Sequence, residues 1–237
     1  MKSLYKTTLF LAVSALCMGM GTSLRAASTI FDNSIHDLSV RFNPGTREVG
    51  DEILLVGTDR WLTGFDFEYW GTNTASPTSF AGAVQAQVRL YKNDGALVPP
   101  VTGYPSPGAV PFYDSGLFSL GGPTARGTVN FTTADFPSGL PIFIPTSDMT
   151  WSVQFSGMGA TDTVGLDIYS PPVVGADYPD YWENNGSGWL LLTNSVPMDF
   201  GARFYAQATV PEPSTVTLSI LGGLGILTLA RRLRRKE

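Results

Sequence analysis

The second half of Trp61-Leu62-Thr63-Gly64-Phe65-Asp66-Phe67-Glu68-Tyr69 alternates strictly: Phe65, Phe67 and Tyr69 share one face, Asp66 and Glu68 the other. A period of two marks a strand with one buried and one solvated side, so both carboxylates are expected in water. Val84-Gln85-Ala86-Gln87-Val88-Arg89-Leu90-Tyr91 repeats the pattern, and Lys92-Asn93-Asp94-Gly95 ends it with the Asp-Gly pair of a tight turn. Short runs rich in β-branched and aromatic residues recur at 29–31, 39–42, 52–56, 111–118, 128–132, 150–155, 164–169, 188–192 and 201–206. About eleven short strands are predicted, with helix signals nearly absent between 27 and 208. Many short strands joined by Gly/Pro-rich connections predict an all-β fold, an antiparallel β-sandwich that is jelly-roll-like in broad terms. A β-helix would need a fixed-period repeat, and the chain has none. Residues 98–111 hold five prolines and two glycines and read as a long loop inside the domain.

Two unbroken apolar runs flank this alternation. Lys2 and Lys6 precede an apolar stretch at 9–20, followed by Ser23-Leu24-Arg25-Ala26-Ala27-Ser28. This pattern predicts a secretory signal peptide over 1–26, cut after Ala26, because the apolar run is too short for a membrane span. At the other end, 215–230 carries neither charge nor proline. Its sixteen residues make about 24 Å of helix against about 30 Å of hydrocarbon. Leu233 and the snorkelling stems of the arginines extend that reach. Arg231, Arg232, Arg234, Arg235 and Lys236 form a basic stop, which places this end in the cytoplasm and the domain between the two runs, 27–209, outside the membrane.

Between domain and span lies Val210-Pro211-Glu212-Pro213-Ser214. Short Pro-Glu-Pro core, apolar helix and basic end, in that order, resemble the PEP-CTERM sorting signal of Gram-negative envelope proteins. The resemblance is confined to about 210–237, a segment also known as the ice-binding protein C-terminal domain. It implies recognition by exosortase, a multi-pass membrane cysteine transpeptidase-like enzyme, and cutting of the tail near Pro211, Glu212 and Pro213. The mature protein would then keep no membrane helix, much as after removal of a GPI signal. The implied route runs from an inner-membrane precursor to the cell surface or extracellular matrix.

Composition narrows what the domain does. The whole chain has net charge −5 from 15 basic and 20 acidic residues. Three of the basic residues precede residue 27 and five follow 209, so seven face 18 acids in the domain, a net charge of −11. Seven basic residues spread among 18 acids make no basic patch to displace counterions, which argues against nucleic acid as partner. Cys17, the only cysteine, lies in the signal peptide after Leu16, where a lipoprotein would have a small residue. The mature domain therefore has no disulfide, thiolate metal site or cysteine nucleophile. His36, the only histidine, reads as a turn residue; no Gly-x-Ser-x-Gly elbow accompanies it, and zinc would need more nitrogen or sulfur ligands.

Paired carboxylates leave glycoside hydrolysis as the one enzyme class open, but Asp66 and Glu68 read as a solvated strand face, and the domain is expected to be structural or adhesive rather than catalytic. The stretch 175–186 stands apart: Asp177, Asp180 and Glu183 accompany Tyr178, Tyr181, Trp182, Asn184 and Asn185 in an expected loop. Oxygen-rich loops take Ca²⁺, and flat aromatic faces stack on sugars. Asp177, Asp180, Tyr181, Trp182 and Glu183 are therefore the candidate ligand residues, with Ca²⁺ the one cofactor left open and extracellular polysaccharide the candidate partner. The same residues would serve an ordinary loop pinned by Tyr181 and Trp182. No Thr-x-Thr ladder recurs, so nothing here predicts ice binding.

Overall fold

The alternating segments do form strands, and most run beyond the apolar residues that announce them. In the computed structural model, which describes residues 26–98 and 104–209, these are β1 (Ser28–Asn33), β2 (Asp37–Phe42), β3 (Glu48–Leu54), β4 (Trp61–Asn73) and β5 (Gln85–Tyr91). Next come β6 (Tyr113–Asp114), β7 (Phe118–Ser119), β8 (Thr124–Thr132), β9 (Ile142–Phe143) and β10 (Asp148–Ser156). The last are β11 (Asp162–Tyr169), β12 (Ala176–Asp177), β13 (Asp180–Asn184), β14 (Trp189–Thr193) and β15 (Ala202–Gln207). Among the described residues there is no α-helix, only a 3-10 turn at Thr133–Asp135 with Thr132 and Asp135 in a capping box. No helix among them is long and apolar enough to cross a membrane. The expected span 215–230, the sorting motif, the basic stop and the signal peptide short of Ala26 lie outside the described residues.

Every pairing among these strands is antiparallel, in two sheets. The first has the order β1-β15-β4-β11-β2, with β8 and β9 also hydrogen-bonded to β4. Gly64 faces both Thr132 of β8 and Tyr205 of β15, so β4 is flanked on both edges. The second sheet runs β14-β13-β3-β10-β5-β6, with β12 also on β3 and β7 on β5. The sheets face each other through one aromatic core. Trp151 of β10 lies 6.0 Å from Phe67 of β4 and 6.3 Å from Phe204 of β15, ring centre to ring centre. Phe65 of β4 meets Tyr113 of β6 edge-on at 5.8 Å. Each such side chain stabilises the fold by about 1.5–3 kcal/mol through burial alone.

The outer face of β4 departs from expectation. Asp66 and Glu68 are only 3% and 2% exposed, not solvated. A strand with neighbours on both edges lets long side chains from those neighbours close over it. Arg203 Nε reaches Asp66 Oδ1 at 2.9 Å, while Arg126 Nε reaches Glu68 Oε2 at 3.2 Å. Tyr205 and Thr128 donate hydroxyls to the same carboxylates, and Arg126 lies over the Tyr169 ring. The apolar stems roof the face while the charged heads pair.

The segment expected at 52–56 is β3, and it begins at Glu48 because Glu48, Asp51 and Glu52 sit inside the strand rather than ahead of it. The expected loop 175–186 is corrected as well: most of it is β12 and β13, zipped onto β3 and β14. Its Asp and Asn residues imitate a turn, yet Ala176, Asp177 and the run 180–184 pair with neighbouring strands.

Candidate functional site

The pleat divides the residues that sequence grouped at 175–186. Trp182 opposes Gly50 across β13 and β3, is 0% exposed, and donates its indole N–H to Glu52 Oε2 at 3.3 Å. It therefore has no open face for a sugar ring, which corrects its expected role. Tyr181 points the other way and packs against Phe42 and Phe200 at 5.2 and 6.2 Å. Glu183 is buried and takes Arg47 Nη1 at 2.9 Å on both oxygens. This pair lines a surface cavity of about 330 Å³ with Phe42, Asn43, Pro44, Gly45 and Tyr181, and its charges cancel there. Asp180 is half-buried near Glu52, and Asp177 turns toward a different set of groups.

That set lies at one seam between the sheets. Asp51 of β3 is wholly buried, and its Oδ2 accepts the backbone N–H of Phe200 at 2.9 Å. Asp199, just ahead of β15, is 2% exposed. Asn33 closes β1 at 1% exposure and donates its amide to the Tyr169 carbonyl at 2.9 Å and to Asp177 Oδ2 at 3.3 Å. Three oxygens here have no hydrogen-bond partner: Asn33 Oδ1, Asp51 Oδ1 and Asp199 Oδ1. Buried polar atoms are nearly always paired, so three together need a physical reason.

The electrostatics are equally one-sided. Burial raises Asp51 well above the usual carboxylate range, and the charges of Asp177, Asp199 and, more weakly, Asp180 raise it further. Burial and then Asp199 push Asp177 up to about 7. Asp199 rises to about 6 through burial and Asp180, against a hydrogen bond from Ser170. No Lys, Arg or His figures among the groups that shift these three. Among the described residues, no three His, Cys, Asp or Glu side chains converge as a ready-made metal cage.

Sequence reading reached Asp177 and missed Asp51, Asp199 and Asn33. The contacts that join them span 144 positions from Asn33 to Asp177 and 149 from Asp51 to Phe200. One signal was available. Asp51 occupies the same parity as Val49 and Ile53, an acid in a row that faces the core.

A second set of carboxylates lies on the outer face of the second sheet. Glu48 accepts the Tyr91 hydroxyl at 2.9 Å and the Ser152 hydroxyl at 2.6 Å, and pairs with Arg89 at 3.1 Å. Burial raises Glu52 to about 7, opposed by the Trp182 indole and helped by Asp148 and Asp180. Four residues apart on one strand, Glu48 and Glu52 lie about 13 Å apart along the backbone. Glycosidase carboxyl pairs work at about 5–5.5 or 6.5–9.5 Å. Asp66 and Glu68 are each neutralised by an arginine. His36 is exposed between β1 and β2, its Nδ1 2.8 Å from the Pro171 carbonyl.

The body Ala27–Thr209 forms one unit, and Ser28 pairs with Ala206 across β1 and β15, so its first and last strands lie side by side. Strand β15 ends at Gln207. Immediately beyond it, residues 209–236 match the family model of the PEP-CTERM protein-sorting motif. The tail is a PEP-CTERM motif. Such a motif marks a chain for export and for membrane-associated processing by an exosortase-type enzyme. The match covers the tail alone. No curated protein and no solved structure matches the chain.

Proposed function

We propose that this chain is a precursor exported by a Gram-negative cell and delivered by exosortase-type sorting to the cell surface or extracellular matrix, where the domain acts as a structural or adhesive module without catalysis. The observation that carries the reading is the PEP-CTERM match at 209–236, directly behind the last strand of the domain. The N-terminal pattern of basic residues, short apolar run and small residues supports export from the other end. The two facing sheets are read as a β-sandwich, jelly-roll-like in the broad sense, a fold able to survive outside the cell without disulfides because its core is large and aromatic. The carboxylates engaged in ion pairs or spaced too widely favour a non-catalytic role. The partner in this reading is extracellular polysaccharide, with Tyr104, 41% exposed and edge-on to Tyr178, as a surface aromatic that a glycan reaches where Trp182 is sealed.

Intact-mass measurement on protein from the native host, with cell fractionation, tests this. A form beginning near Ala27 and ending near Pro211–Pro213, found at the surface or in the medium, is expected. Replacement of Glu212 by Ala should leave the uncut chain in the membrane fraction. A wild-type protein that keeps 215–237 in the membrane would reduce the tail to a plain anchor.

A further inference from the structure

The edge of a sheet needs an occupant or a defence, because its outer N–H and C=O groups are ready to pair with another strand. Most edges of the two sheets have one. Strand β1 is covered: the Val56 N–H bonds the Ile30 carbonyl at 2.9 Å, and the Val173 N–H bonds the Asp32 carbonyl at 2.8 Å. Strand β2 carries Asp37 and Arg41, a left-handed Ser39 at φ 57° and a bulge against β11. Strand β8 carries Arg126 and shifts register against β4. Strands β6, β7, β9 and β12 have two residues each, too few to template a partner.

Strand β14 has none of these defences. Trp189-Leu190-Leu191-Leu192-Thr193 ends its sheet and, among the described residues, pairs with β13 alone, through five consecutive partners without a bulge. It holds no charge, proline or glycine, and the wider stretch 184–198 holds no charge either. Leu190 is 44% exposed. We propose that β14 pairs antiparallel with β14 of a second copy of this chain, about a twofold axis at Leu191. The pairing joins the second sheets of the two copies into one. This inference does not depend on how the chain is sorted, and it supplies an adhesive module with a contact to its own kind.

A second copy is the occupant that this strand fits. What an open edge binds is an extended strand, through main-chain hydrogen bonds, with side chains setting the choice of partner. Twofold antiparallel pairing sets Leu191 against Leu191, Leu190 against Leu192 and Trp189 against Thr193, so no side chain meets a like charge. Charge decides where two copies can approach. The domain carries a net −11, which holds copies apart wherever their acids face each other. At β14 that obstacle is removed locally. Of the carboxylates across the ladder on β13, Glu183 is paired with Arg47 at 2.9 Å, and Asp180 stands opposite only the last residue, Thr193. The contact uses the same edge on both copies, so it closes at a dimer and leaves no free edge to grow a fibre.

The test uses the full-length chain in detergent micelles, with sedimentation across a wide range of protein concentration and circular dichroism to check the fold of each variant. The wild type should pass from monomer to dimer. Leu190→Lys and Leu192→Glu each put a charge into an apolar contact and should weaken the dimer about tenfold or more. The double variant sets each new lysine against the other copy's new glutamate and should recover the dimer. Cysteine pairing gives a second readout, in a chain carrying Cys17→Ser. Directly opposed residues have Cβ atoms about 4.5–5.5 Å apart, near enough for a disulfide after small adjustment. Leu191→Cys should therefore give a linked dimer on mild oxidation, whereas Ala75→Cys, exposed in the loop after β4, should not. A wild type that stays monomeric throughout would overturn the proposal. So would a dimer unchanged in both single variants, which would assign association to the tail, and so would a double variant no tighter than either single one. Should a charged variant lose its fold, the disulfide decides: no linked dimer from Leu191→Cys, or as much from Ala75→Cys, overturns the pairing.

Discussion

Asp167 shows how far one buried residue departs from its sequence neighbourhood. It sits in β11 with no exposure, and Arg41 Nε lies 2.9 Å from Oδ1 without the alignment of a hydrogen bond. Burial raises it from 3.8 to about 6, Arg41 opposes, and Asp37 and Glu68 add to the rise. A carboxyl with a raised folded pKa binds its proton more tightly folded than unfolded. Its contribution therefore favours folding below pH 4 and is lost as pH rises through about 6. Asp167→Asn should flatten this part of the stability profile between pH 4 and 6, by an amount on the order of 3 kcal/mol at most, read as urea midpoints against pH. A slope unchanged by the substitution would show that other groups set it. In the sequence, Asp66, Glu68 and Asp167 look alike as acids in alternating runs. Whether such an acid meets water, as alternation suggests, or a guanidinium roof depends on the neighbouring strand, which lies up to 137 positions away for Asp66 and Arg203.

At the scale of elements, strand β13 is the instructive case. Asp180-Tyr181-Trp182-Glu183-Asn184 has the composition of a turn, and local propensity points to a loop. Pairing with β3 and β14 overrides that preference, because it satisfies the backbone and buries Trp182 whole. Trp182→Ala should accordingly cost about 3–5 kcal/mol of folding stability, measured by denaturant titration. Affinity for any polysaccharide should stay unchanged while the variant is folded. Selective loss of glycan binding with stability intact would restore the tryptophan to a recognition role. Strand β4 behaves in the opposite way, since its period of two was readable and the strand simply extends further, to Asn73.

For the molecule as a whole, the arrangement of ends is decisive. Strand β15 lies between β1 and β4, so the last strand of the domain completes the middle of its first sheet. A chain stopped at Gly201 should lose cooperative thermal unfolding, whereas one stopped at Thr209 should keep a single transition by circular dichroism. Loss of folding in both would mean that the tail contributes to the domain's stability. This placement also delays completion of the sheet until the segment next to the PEP-CTERM motif has been made. The sequence alone determined the strand-rich class, the apolar flanks and the sorting motif, because these rest on local periodicity, run length and short contiguous signatures. Tertiary structure decided which acids are roofed, where Trp182 is hidden, and that Asn33, Asp51, Asp177 and Asp199 share one seam. Those outcomes depend on pairings between distant strands, and no local pattern encodes a partner more than a hundred residues away.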